Sequence, residues 1–274
     1  MKPSAVMTLG AALLVATAAL SAEPAKKIQL SDPKGDDKGP GTYVYPSNPV
    51  YTAGSFDLRG LQVIDKGSTV EFRVKVGARI ADPWNSKEWD GNGFSLQFVQ
   101  IYIDTDHKAG SGFTGVLPGL GKLKLAADQA WDKVVLISPQ GKQRLKSEAR
   151  YKSGKMAKAV VIPRATRARG KTLIAVVKKS DLGQPNKGWG LQAIMQSNEG
   201  FPKGKDILTR PVNEVRGDHR FGGGHDTDCD PQVIDIFAGK GAGAPTEVKA
   251  QQTALAWKCG SKVATLPMIY PFAR

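Results

Sequence analysis

Three carboxylates, Asp32, Asp36 and Asp37, are interleaved with Gly35, Gly39 and Gly41 in a stretch, DPKGDDKGPGTYVYPSNPVYTAGSFDLRGL (32–61), that follows neither helix nor strand periodicity. Glycine tolerates positive φ and lets backbone carbonyls turn inward, and oxygen-rich turns suit a hard cation such as Ca2+. Aspartate and glycine also build ordinary turns, aspartate by accepting from its own backbone two residues on, so composition leaves both readings open. A second acidic cluster, GDHRFGGGHDTDCDPQVID (217–235), carries Asp226, Asp228 and Asp230 at alternate positions. This spacing begins like an EF-hand loop, but Pro231 stands where glycine is required and Phe237 where the last ligand belongs, so an EF-hand is excluded. A Ca2+ site of another geometry remains open there, as does zinc through His219 and His225. Asp104-Thr-Asp106 reads first as a turn.

Two tryptophans, Trp84 and Trp89, flank the polar loop PWNSKEWDGNGF (83–94), where an indole face can stack on a sugar ring or simply close over a core. Catalytic signatures are scarce: the chain has no Gly-x-Ser-x-Gly elbow, no His-Glu-x-x-His and no paired metal-binding cysteines. EGFPKGKD (199–206) is one residue short of a phosphate loop, and Asp206 replaces the hydroxyl residue that holds magnesium. A carboxylate pair able to hydrolyse a glycosidic bond is neither supported nor removed by so many scattered acids.

The elements that must hold these residues are mostly short strands. Val70, Phe72, Val74 and Val76 alternate with Glu71, Arg73 and Lys75, the period of a half-exposed strand, here the second arm of a hairpin after 61–64. FSLQFVQIYID (94–104) is apolar on both faces, which suits an inner strand. Further strands are expected at 133–138, 157–162, 172–178, 190–196 and 232–237, and short strands at this spacing argue for an all-β sandwich. A single helix is expected, Thr246 to Trp257, with Thr246 as its N-cap.

With 274 residues and 41% hydrophobic content, a sizeable core can form. Met1 to Ala22, with Lys2 ahead of an apolar core, reads as a secretory signal peptide cut near Ala22. Residues 23–31 then form an N-terminal extension, and the product is periplasmic or extracellular with no transmembrane segment. In that compartment the two cysteines, Cys229 and Cys259, are expected to pair, although two buried thiols are the alternative. The net charge of +14 is concentrated between Lys142 and Lys179, where thirteen Lys or Arg face Glu148 alone. Lys142 to Lys146 and Arg164 to Lys171 are expected as exposed strand and loop. The patch reads either as a solvated face or as a surface for an anionic cell-envelope polymer. Nucleic acid is disfavoured because the patch offers only Tyr151 for base stacking.

Several motifs occur in one order: the opening stretch to Leu58, Pro83-Trp84, Gly93 to Gln97, Tyr102 to Asp106, Ala130 to Asp132, Gly188 to Gly190, Arg210 to Val212, Gly222 to Gly224, Val233 to Asp235 and Leu266 to Met268. In these residues, over about 32–268, the chain resembles the C-terminal module of bacterial glucodextranases and amylopullulanases. The resemblance implies a single DOMON-like β-sandwich over 32–274, a non-catalytic module that binds carbohydrate or the cell surface beside glycan-degrading enzymes. These 274 residues are not expected to include a catalytic domain, so the alternatives are a glycan hydrolase with an unidentified carboxylate pair and a docking partner of a separately encoded glycan-degrading enzyme. The basic segment lies outside the shared motifs. Some DOMON-like domains bind haem through Met and His, but nothing singles out a pair among Met156, Met195 and His107. Within this frame the expected ligand-binding residues are Trp84 and Trp89. The expected Ca2+ ligands are Asp36, Asp37 and Asp57, with Asp226, Asp228 and Asp230 as a second set.

Overall fold

The computed structural model describes residues 22–108, 110–239 and 245–272. Two sheets face each other. The first, in spatial order β1-β2-β3-β9-β8, is antiparallel throughout and comprises β1 (Lys27–Ser31), β2 (Leu58–Asp65), β3 (Thr69–Val76), β8 (Ala165–Arg169) and β9 (Thr172–Lys178). The second runs β11-β10-β4-β6-β7 through β4 (Gln97–Asp104), β6 (Lys133–Ile137), β7 (Val160–Val161), β10 (Gly190–Asn198) and β11 (Thr209–Arg210), with β12 (Asp235–Ile236) also pairing β10. A small parallel pair joins β5 (Leu123–Leu125) to β13 (Ala264–Leu266).

One apolar layer fills the space between the sheets, with Leu61, Val63, Phe72 and Val74 opposite Val99, Ile101, Ala193 and Met195. The outer face of the first sheet is polar, as the alternation in β3 requires. The second sheet is covered on both sides, and every residue of β4 and β10 is buried. Its outer face packs Phe98, Tyr102, Leu136 and Ile194 against a third layer made of loops, the β5–β13 pair and one side of the helix at 142–152, with Trp131, Leu145 and Leu255.

Much of that third layer is loop, whose backbone needs partners other than a ladder. Buried glutamines supply them. Gln196 Nε2 donates to the carbonyls of Gly119 (2.7 Å) and Gln232 (2.9 Å), and Gln192 Nε2 donates to those of Phe237 (2.8 Å) and Pro267 (2.7 Å). Side-chain amides rising from β10 thus replace a missing strand.

Several expectations need correction. The Lys142 to Lys146 segment is not strand or loop: it opens α1 (Lys142–Lys152), which buries Leu145 and Ala149. Two apolar positions at i and i+4 give a weak period, but Lys, Gln, Arg, Leu, Glu and Ala are all good helix formers. Short α2 (Lys179–Leu182) follows β9, and α3 (Thr246–Ala254) ends earlier than expected, with Pro245 rather than Thr246 at its cap. Residues 27–31, placed in an extension, are an edge strand paired to β2. The expected strands at 157–162 and 232–237 shrink to β7 and β12, whose remaining backbone is taken up by turns and side chains. The proposed signal peptide, up to Ser21, lies outside the described residues.

Candidate ligand cleft and the acidic loop

Trp84 and Trp89 do come together, in a cleft of about 430 Å3 at one end of the second sheet. Three segments build it: the loop before β4, the turn after β6 and the chain leaving β10. A 3-10 turn, Ser86–Trp89, sets the spacing of the two indoles, and Trp89 Nε1 donates to the Trp84 carbonyl at 3.3 Å. Asp82 anchors that turn by accepting from Ser86 N–H and Oγ, both at 3.0 Å. Gly91 lets the loop approach the Pro139 turn, because a Cβ there would lie 2.4 Å from the Pro139 carbonyl oxygen. Asn92 fastens the same contact through donors to the carbonyls of Ser138 (2.8 Å) and Gln140 (3.0 Å).

The rest of the lining was not expected from sequence. Phe201 is 89% exposed, and the Arg144 guanidinium sits 5.6 Å over its ring. Arg144 also donates to Gln140 Oε1 (3.0 Å) and to the Gly200 carbonyl. Glu199 accepts from Arg210 Nε (3.0 Å) and from Phe201 N–H (3.1 Å), with Arg220 at 3.6 Å. Burial pushes the Glu199 carboxyl up, but the Phe201 amide and Arg210 outweigh it and hold the pKa below the usual range. The segment that sequence dismissed as a failed phosphate loop therefore forms a wall of the cleft. A phenylalanine set between Gly200 and Pro202 in a polar loop was the available signal.

A second concavity, of about 730 Å3, lies over the edge of the second sheet and is rimmed by Lys133, Lys142, Lys146, Arg150, Lys158, Arg164 and Lys178, with Asp181 its one acid. Lys142, Lys146 and Arg150 recur every four residues and so share one face of α1. Valine and isoleucine of 160–162 form the floor. Arg164 and Lys178 also line an adjoining hollow of about 620 Å3.

The acidic candidates divide. Asp36 is buried beside Asp32 and Asp235, with one oxygen of each within 4.8 Å of the others. Asp37 instead accepts from the Tyr45 hydroxyl, and Asp57 accepts from Gly35 N–H at 3.0 Å. Asp226 and Asp228 are exposed, and Asp226 Oδ1 takes the Glu214 N–H at 2.9 Å. Asp230 points inward, where Tyr43 (2.9 Å) and Gln232 (2.8 Å) occupy both its oxygens. These three do not gather their oxygens into one group. His219 packs against Trp84 and Tyr51, whereas His225 lies by the Cys229–Cys259 disulfide. Asp104, Asp106 and Asp132 form a turn network in which Asp104 accepts from His107 N–H (2.7 Å) and Tyr270, and Asp132 from Thr105. Met195 belongs to the inter-sheet core, Met156 packs on the outer layer and His107 stacks on Tyr270, so the structure does not bring these haem candidates together.

A two-sheet β-sandwich with an aromatic cleft built from loops at one sheet end has the form of a ligand-binding module. The chain belongs to the family described as the C-terminal binding-module, SLH-like, of glucodextranase, whose family model matches residues 28–270. Comparison with curated proteins gives no match. Among the described residues no helix is long and apolar enough to cross a membrane.

Proposed function

We propose that this protein is a non-catalytic module that holds polysaccharide at the cell envelope through the Trp84–Trp89 cleft. The observation that carries this reading is the grouping of Trp84, Trp89 and the solvent-exposed Phe201 around fixed polar groups. Aromatic faces bind the apolar faces of sugar rings, while the half-buried Arg144, held in place by Gln140, offers guanidinium donors to hydroxyls. The volume falls within the usual range for small-ligand sites, about 300–1,000 Å3. Among the described residues Glu199 is the only carboxylate lining the cleft, and the Phe201 amide and Arg210 hold it ionised, which makes it a poor proton donor; glycosidic hydrolysis uses two carboxyl groups. A location outside the cytoplasm accords with the disulfide.

The basic groove favours a second contact, with an anionic envelope polymer, which would orient the module rather than select the sugar. A docking role beside a separate glycan-degrading enzyme remains compatible with either surface. The test is retention on insoluble neutral and envelope polysaccharides. Replacing Trp84 and Trp89 together by Ala is expected to reduce retention at least tenfold while the fold is kept; unchanged retention would overturn the cleft as the binding site.

A further inference from the structure

Where the chain leaves β1, Asp32 turns inward and meets other acids instead of donors. Asp32, Asp36 and Asp235 are 7%, 4% and 0% exposed, and neither oxygen of Asp32 nor Oδ1 of Asp36 has a hydrogen-bond partner. Asp235, in contrast, is rigidly placed: its Oδ2 accepts from Leu58 N–H at 2.7 Å and its Oδ1 from Ile236 N–H at 2.9 Å. Asp57 stands nearby, fixed by Gly35 N–H, with Arg59 at 4.0 Å from its outer oxygen. A buried carboxylate without donors is among the least favourable groups a fold can keep.

We propose that Asp32, Asp36 and Asp235 are ligands of one Ca2+ ion enclosed behind the opening loop. Calcium takes oxygen ligands at about 2.3–2.6 Å, so oxygens up to about 5 Å apart can face each other across it. The ligands come from two distant parts of the chain, the opening loop and β12. Asp32 follows the edge strand of the first sheet, Asp235 lies on β12 of the second, and the Asp36 carbonyl accepts from Gln251 of α3. An ion here would tie both sheets and the C-terminal helix to the loop. Of the expected ligands this set keeps Asp36 alone: the carboxylate oxygens that converge are those of Asp32, Asp36 and Asp235, a group that includes neither Asp37 nor Asp57, and Asp226, Asp228 and Asp230 do not converge. The proposal is independent of the sugar cleft.

The test uses the full chain, freed of metal with chelator, then titrated with CaCl2 alone and followed by calorimetry, metal analysis and melting. One Ca2+ per chain is expected, with a melting temperature raised by about 5–10 °C at calcium far above its dissociation constant. Asp32→Asn should abolish that rise yet melt no lower than the parent in chelator, since it removes an unpaired buried charge. Asp226→Asn should leave the calcium response intact. A wild-type chain that binds no calcium, or an Asp32→Asn chain that keeps the full calcium response, would overturn the proposal.

Discussion

Phe201 is nearly all in solvent, and among the described residues its one ring partner is Arg144. Its removal therefore costs the fold little, within about 0.5 kcal/mol for a surface site, and any lost binding reports on the cleft itself. Phe201→Ala is expected to weaken polysaccharide retention several-fold with an unchanged melting temperature; a parallel loss of both would assign Phe201 a structural role. Asp65 is informative for a different reason. Hydrogen bonds from Lys179 and then Gln184 hold its pKa down to about 2, and Lys179 Nζ lies 2.5 Å away. Because the folded pKa lies below the ordinary carboxylate value, the pair stabilises the fold above about pH 4 and the contribution disappears as pH falls through 2. Asp65→Asn should cost about 1–2 kcal/mol at pH 7, with the difference from the parent vanishing near pH 2 in denaturant titrations.

At the scale of elements, the binding cleft depends on one loop meeting one turn. Gly91 permits that meeting, since a methyl group there would overlap the carbonyl oxygens of Pro139 and Ser86. Gly91→Ala is expected to lower stability by about 1–3 kcal/mol, the usual range for overpacking. It should also weaken retention although both tryptophans remain; normal binding would show that the loop position does not matter. The disulfide does similar work for the outer layer by joining the acidic segment at Cys229 to the chain beyond α3 at Cys259, with a sequence separation of 30. In the chain-entropy account, a closed loop of that size stabilises by roughly 3–4 kcal/mol, so reduction should lower the denaturation midpoint accordingly. The edge strand β8 carries Arg167 and Arg169 on exposed positions, which discourages pairing with a second chain.

The whole molecule presents two surfaces with different physics. The aromatic cleft relies on short-range contact, whereas the seven-cation groove acts through a field that salt screens over about 10 Å at 0.1 M. Retention on a neutral polysaccharide should change little between 0.05 and ~0.5 M salt. Retention on an anionic polymer should fall steeply over the same range, and Lys142, Lys146 and Arg150 replaced together by Glu should abolish it. Equal salt sensitivity on both supports would merge the two surfaces into one site.

Local chemistry made much of this legible. The alternation in β3, the two-sided apolar run of β4, the paired cysteines and the Trp84–Trp89 loop are visible in the chain because periodicity, redox chemistry and residue type are properties of neighbouring residues. Helix α1 was hidden because only Leu145 and Ala149 mark its buried face, and its basic residues looked like any exposed surface. What sequence could not assign was company. Whether Asp36 meets Asp37 or Asp32 and Asp235, and whether Asp230 joins Asp226 or turns to Tyr43, depends on contacts across almost two hundred residues. Arg144 and Phe201 reach the tryptophans only because antiparallel β4, β6 and β10 bring their flanking loops to the same sheet end. The residue types available to bind sugar or cation were thus set by the sequence alone, while the choice of which ones share a site was made by strand pairing, since only the folded sheet brings distant side chains within hydrogen-bonding reach.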